Sequence, residues 1–388
     1  LLVAVILAAM VMPQVFGRVT SVLDAGTGTA YWRLSTWRSS ADMMLDRPVL
    51  GFGVNGFRYA YPAYQEAGQN DGRHGYVPIE AAHNLEADTV VSLGLLGLVA
   101  LLVIAVECGL ALWRRAVGTD AGRMQAVAVA ASLVGAVVAL QFHYVTLDTG
   151  PLLIALLAVT ATREVAEDTR RLSQRDSVSP AVRWIAGALA LAFVAVTVCA
   201  AGLVIADRES ARAVALSRAG APWPEVRDVA ETAAQLAPWE ASVARTGGRA
   251  GTVRLTQAYD SDAARDGLAA YDRAIALSPS DPVLVYERAN LLAVSAMGSR
   301  DPATLESALD GFEHAGAMDP NSGMALVGQA RVALVFGDTE AGIALLEEAV
   351  ELSPLYVPAW DDLAKAYRLL GMKEEADEAQ RKAEEIGR

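Results

Sequence analysis

Thr89-Val90-Val91-Ser92-Leu93-Gly94-Leu95-Leu96-Gly97-Leu98-Val99-Ala100-Leu101-Leu102-Val103-Ile104-Ala105-Val106-Glu107-Cys108-Gly109-Leu110-Ala111-Leu112-Trp113 carries one charged side chain in 25 residues. A bilayer-spanning helix needs about 20 mainly apolar residues, so this stretch reads as a membrane span. Residues 124–142 and 182–206 fit the same rule, and residues 145–162 fit it at reduced length with Asp148 near one end. The opening apolar run, residues 1–12, is too short to cross and lacks a charged flank before it. It is read as the end of a span whose beginning is missing, so further helices are expected upstream. Glu107 lies close to Arg114 and Arg115 and is read as an interfacial, snorkelling acid.

Short loops rich in arginine mark the cytoplasmic side. Arg114, Arg115 and Arg123 follow the first full span, and Arg170, Arg171 and Arg175 follow the third. Residues 13–88 and everything after 206 then face outward. The expected fold class is all-α. A polytopic membrane domain, residues 1–206, carries a long extracytoplasmic loop at 13–88, and a soluble helical domain follows at 207–388.

Charge divides along the same line. Residues 1–206 hold 15 acidic and 14 basic side chains, whereas residues 207–388 hold 30 and 18. An acidic surface of that kind lacks the basic footprint that nucleic-acid binding requires. Cys108 and Cys199 both lie in apolar runs, which suits buried thiols and not a disulfide or metal framework. No His/Asp/Glu cluster has metal-ligand spacing, so neither metal nor cofactor is expected.

Four prolines, Pro238, Pro279, Pro320 and Pro354, close similar phrases: AAQLAP, AIALSP, AGAMDP and AVELSP. The last interval equals the tetratricopeptide period of 34 residues. Trp360, Leu363, Ala364, Tyr367, Ala376 and Ala383 fall where paired repeat helices need large and small packing residues. A tetratricopeptide-type α-solenoid is therefore expected, either structural or a surface for a protein partner.

The outer loop holds the chemistry. Three phrases stand in order: Tyr31-Trp32-Arg33-Leu34-Ser35-Thr36-Trp37; Pro48-Val49-Leu50-Gly51-Phe52-Gly53; and Ala82-His83-Asn84 followed by Gly94-Leu95-Leu96-Gly97. Together these resemble the O-antigen ligase family, over about residues 1–166. That family includes polymerases and protein oligosaccharyltransferases. The resemblance implies transfer of a glycan from a polyprenyl-pyrophosphate carrier to a glycolipid, glycan or protein acceptor, in the inner (cytoplasmic) membrane. It implies no metal. Arg33 matches the family's Arg-x-x-x-Trp position. Arginine is always charged and binds phosphate oxygens two at a time, which suits a pyrophosphate leaving group. A neutral His83 at the membrane surface can accept the acceptor's proton.

His83 and Arg33 are thus the catalytic candidates, with Arg38, Arg47, Arg58 and Asn84 for substrate binding. Asn84 also reads as a helix cap. Gly51, Gly53 and Gly56 read as a turn, since no Lys-Ser/Thr pair follows to make a phosphate loop. Gly94 and Gly97 read as aids to helix packing in the membrane, and Trp32 and Trp37 as an interfacial belt. His74 and His143 carry no motif. The competing function is a non-catalytic membrane scaffold whose repeats recruit envelope-assembly partners. A transporter would need ionisable groups buried in its spans, and these are nearly absent.

Overall fold

The computed structural model describes residues 28–53, 56–69, 71–72, 75–76, 79, 81–117, 120–140 and 180–387. The expected spans at 1–12 and 145–162 lie outside these residues, as do His74, His143, Asp148 and the arginines of the second expected cytoplasmic loop. The described chain is helical. Its strands, β1 (Asp71–Gly72) and β2 (Gly75–Tyr76), form one short antiparallel hairpin. Contacts group the chain into two units, one of residues 1–66 and 78–177, the other of residues 67–77 and 178–388.

The first unit is built from α1 (Gly28–Asp46), α2 (Gly56–Ala60) with a 3-10 turn at Tyr61–Ala63, α3 (Leu85–Ala116) and α4 (Asp120–Leu140). A small core joins its outer pieces: Met43, Phe57, Tyr61, Ala82 and Val91, with Trp37, Phe52 and Tyr64 packed against it. The Phe57 and Tyr61 rings stack at 4.9 Å.

Helix α3 changes character along its length. Past Gly94 its large apolar side chains are turned outward, Leu95, Leu96, Val99, Leu102, Val103 and Ile104 among them. Leaving such a surface in water costs roughly 25 cal/mol per Å². Among the described residues this is the one helix long and apolar enough to cross a membrane, as Leu85–Arg114; a shorter apolar stretch, Ala126–Val137, lies in α4. The expected span at 124–142 coincides with α4 as far as Leu140.

The second unit is a series of helix pairs. Helix α5 (Pro180–Arg218) runs unbroken through the expected span at 182–206 and pairs by its last turns with α6 (Trp223–Leu236). After the single turn α7 (Ala241–Ala244) come α8 (Thr246–Gln257) with α9 (Ser261–Leu277), α10 (Pro282–Ser299) with α11 (Pro302–Met318), α12 (Met324–Val335) with α13 (Thr339–Leu352), and α14 (Val357–Leu369) with α15 (Lys373–Gly387).

Pro238, Pro279, Pro320 and Pro354 each fall two residues after a second helix ends, where a missing N–H costs the helix nothing. Asp260, Asp281, Asp301 and Asp338 cap the helices that follow them, each carboxylate accepting first-turn N–H groups. Leu363, Ala364, Ala376 and Ala383 are buried between α14 and its neighbours, with Trp360 and Tyr367 along the edge. Segment 67–77 belongs to this unit through Gly68, whose N–H donates to the Asn321 carbonyl at 2.6 Å.

Candidate active site

Helix α3 is not continuous. Gly94 adopts φ 65°, ψ −164°, a combination essentially confined to glycine, so the hydrogen-bond ladder opens there. A regular helix would bond the Leu95 and Leu96 N–H groups to the Val91 and Ser92 carbonyls. Instead the loop 48–53 is inserted. Phe52 N–H donates to the Val91 carbonyl at 2.8 Å and Gly53 N–H to the Ser92 carbonyl at 2.9 Å. In return Leu95 N–H donates to the Pro48 carbonyl at 2.8 Å and Leu96 N–H to the Val49 carbonyl at 3.4 Å. Two helical bonds are opened and all four freed groups are satisfied by loop backbone, as buried backbone requires.

The approach is too close for side chains. A Cβ on Gly94 would sit 2.3 Å from the Val49 oxygen, and one on Gly51 2.5 Å from the Val91 oxygen. Two sequence readings are therefore corrected. Gly94 breaks its helix and receives a loop; it does not bring a second helix close. The missing Cβ of Gly97 faces the Leu93 side chain of its own helix. Gly51 does more than turn the chain, since its bare Cα is what lets the loop reach α3.

The same helix start holds His83. Asn84 Oδ1 accepts the Ala87 N–H at 3.0 Å, so Asn84 caps the helix as one of its two readings expected. The Asp88 carboxylate reaches back to accept the Ala82 N–H at 2.6 Å. Trp37 Nε1 donates to the Ala82 carbonyl at 2.9 Å. Ala82 is thus held by both its polar groups, and His83, half-buried beside it, is fixed in the left-handed region at φ 53°. A non-glycine residue there is uncommon and tends to mark a functional constraint. Trp37 thereby departs from the belt role expected of it, because its indole is drawn into the protein by a carbonyl that needs a donor. Neither Trp37 nor Asp88 was singled out for the site by sequence. An acid within the first turn after Asn84 was the available signal.

Trp37 also places Arg33. The two are four residues apart on α1, hence neighbours on one face, about 5–6 Å between Cβ atoms. Arg33 is half-buried. The other arginines are spread out. Arg38 lies about 140° around α1 from Arg33, exposed, 3.9 Å from Glu66. Arg47 stands beyond the far end of α1, about 21 Å along the axis from Arg33, with its guanidinium over the Phe52 ring at 4.8 Å. Arg58, on α2, stands over Tyr59 at 5.8 Å. Near Arg47, the Tyr64 hydroxyl donates to Asp46. Burial, then this bond and the charge of Asp46, push the Tyr64 phenol up to about 12.

Residues 1–102 match the family model described as O-antigen ligase, and residues 357–386, which are α14 and α15, match a tetratricopeptide repeat. The chain thus carries a segment similar to the O-antigen ligase family and, near its C-terminus, one tetratricopeptide repeat. No curated protein matches it. The ligase match ends inside α3, short of residue 166, and takes in the whole arrangement of Trp37, loop 48–53, His83 and Gly94. It places the segment in a family of glycan transfer in polysaccharide assembly.

Proposed function

We propose that this chain transfers a glycan from a polyprenyl-pyrophosphate carrier to an acceptor hydroxyl at the outer face of the inner membrane, in cell-surface polysaccharide assembly. The supporting observation is the clamped turn at the start of α3: Ala82, held by Trp37 and Asp88, precedes a His83 with a left-handed backbone, and Trp37 lies one turn along α1 from Arg33. In this reading the membrane domain covers residues 1–206 with spans near 1–12, 89–113, 124–142, 145–162 and 182–206. Loop 13–88 and the repeat domain 207–388 are extracytoplasmic.

His83 accepts the proton of the acceptor hydroxyl as its oxygen bonds to the anomeric carbon. The bond from that carbon to the pyrophosphate oxygen breaks, and its electron pair leaves with polyprenyl pyrophosphate. Arg33 neutralises the charge that develops there. Arg38, Arg47 and Arg58, spread around the loop domain, bind the glycan or its acceptor. Asn84 keeps the turn in register for both.

The test is reconstitution of the full-length protein with lipid-linked glycan and candidate acceptors, reading release of polyprenyl pyrophosphate. His83→Asn is the informative variant, because asparagine tolerates the left-handed backbone but is not a general base. General-base removal costs about 10²–10⁴-fold, and a loss of that order is expected with the fold intact. Wild-type rates in the variant would remove His83 from the chemistry. No transfer by either protein, across acceptor classes, would favour the scaffold function.

A further inference from the structure

The repeat unit holds a cavity of about 350 Å³ between the end of α5, α7 and the start of α8. It is lined by three arginines, Arg218, Arg245 and Arg249, and three hydroxyl side chains, Ser210, Ser242 and Thr246. Such a concentration of cations is unlike its surroundings, since residues 207–388 carry 30 acidic side chains against 18 basic ones. The counter-charges are few. Glu287 stands 3.9 Å from both Arg245 Nη1 and Arg249 Nε, beyond hydrogen-bond reach. Asp207 is exposed on the rim, and the Glu240 carboxylate accepts the Ser242 hydroxyl at 2.7 Å. Two lining atoms, Arg245 Nε and Ser210 Oγ, are buried and make no hydrogen bond among the described residues. A helical serine ordinarily bonds back to its own helix. Thr246 is the first residue of α8, which follows α7 directly through the helical Arg245. Three guanidinium groups, two of them exposed, and the hydroxyls beside them line one space, which is the chemistry of a phosphate site.

Its place in the chain indicates where the phosphate comes from. The cavity's α5 wall begins at Asp207, the residue after the apolar stretch 182–206, and Ser210 lies within about 6 Å of that boundary along the helix. The headgroup layer of a bilayer is about 5–8 Å deep. Leu191, Val198, Val204 and Ile205 of α5 present exposed apolar side chains. Ala237 packs with Leu203 and Ala206 at the same level, and Trp239, two residues further on, is 52 % exposed. An exposed tryptophan at the end of an apolar segment is an interfacial anchor. We infer that this cavity takes the phosphate of an anionic lipid headgroup, seating the first repeats on the membrane surface. The inference rests on the proposed crossing of residues 182–206, but not on glycan transfer.

The experiment uses the full chain in a non-ionic detergent and reads lipid retained, by native mass spectrometry, from equal amounts of phosphatidate and phosphatidylcholine. Inorganic phosphate and pyrophosphate are titrated as competitors. Preference for phosphatidate by about tenfold is expected, the worth of a charge-assisted hydrogen-bond set. It should fall severalfold in Arg249→Gln and in Arg218→Gln. Arg218 is in none of the ion pairs described, so that variant tests the cavity even where Arg249→Gln disturbs the fold. Competition by pyrophosphate would support the site. Equal lipid retention in wild type and both variants would overturn it. Arginine-dependent binding of pyrophosphate without any lipid preference would also overturn it, assigning the cavity to a soluble anion and removing it from the bilayer. Because binding is the readout, an inactive transferase would leave the result unchanged.

Discussion

Replacing Gly94 with alanine should detach loop 48–53 from α3 while leaving the helix better formed than before. The new Cβ would lie 2.3 Å from the Val49 oxygen and 2.4 Å from the Val49 carbon, so the loop cannot stay docked. The backbone conformation adds strain of about 1–3 kcal/mol for any residue but glycine. The four backbone bonds between loop and helix are each worth about 1 kcal/mol net. Together these put the loss of loop docking at about 5–7 kcal/mol. The helix has a remedy that the loop lacks: in Gly94→Ala the Leu95 and Leu96 N–H groups can return to the Val91 and Ser92 carbonyls. Hydrogen exchange on the full chain in detergent separates the two effects. Peptides covering 49–53 should exchange at least about a hundredfold faster, at 1.4 kcal/mol per decade, whereas Leu95 and Leu96 should stay protected. Gly51→Ala should give the same loop signature, and the double variant should cost little more than either alone, since both break one contact. Unchanged protection at Phe52 and Gly53 in Gly94→Ala would refute the insertion of the loop into the helix. Loss of protection on both sides would refute the closing of the helix behind it.

Trp37→Phe keeps an aromatic ring but removes the donor to the Ala82 carbonyl, at a local cost of about 1–3 kcal/mol; transfer should fall while secondary structure by circular dichroism is kept, and full activity would take Trp37 out of the positioning of His83. Tyr64, with its phenol at about 12 in the folded chain against 10.0 ordinarily, favours the folded state below pH 10 and loses that contribution as pH rises through 12. Its ultraviolet ionisation signal, taken as wild type minus Tyr64→Phe, should be absent at pH 10.5 and should appear earlier in Asp46→Asn. In the repeats, Gly328→Ala would put a Cβ 2.4 Å from a ring carbon of Phe312. Overpacking of about 1–3 kcal/mol should exceed the gain in helix propensity and lower the thermal midpoint, with Phe312→Leu relieving part of it; a raised midpoint in Gly328→Ala alone would contradict this.

Much of the architecture was legible without coordinates, because it rests on local periodicity. Apolar length marked α3, and the prolines at 238, 279, 320 and 354 marked the ends of α6, α9, α11 and α13. The candidate site was legible as motifs but not as geometry. Trp37 and Ala82 are 45 residues apart, and no pattern along the chain shows that an indole will be spent on one carbonyl. Gly94 looked like a small residue in an apolar helix, since sequence records the absence of a side chain and not the φ that needs it.

The sequence by itself determined the long apolar segments and the repeat helices, but not α1 and α2 within residues 13–88, and which family that loop resembles, since hydrophobic length, turn chemistry and motif order are properties of neighbours in the chain. Only the tertiary structure decided that loop 48–53 enters the break at Gly94, that Ala82 is held from both sides so that His83 takes a left-handed backbone, and that Arg218, Arg245 and Arg249 share one cavity. Each of these depends on backbone groups and charges that meet across long separations, where the cost of an unsatisfied buried group, and not local propensity, selects the partner.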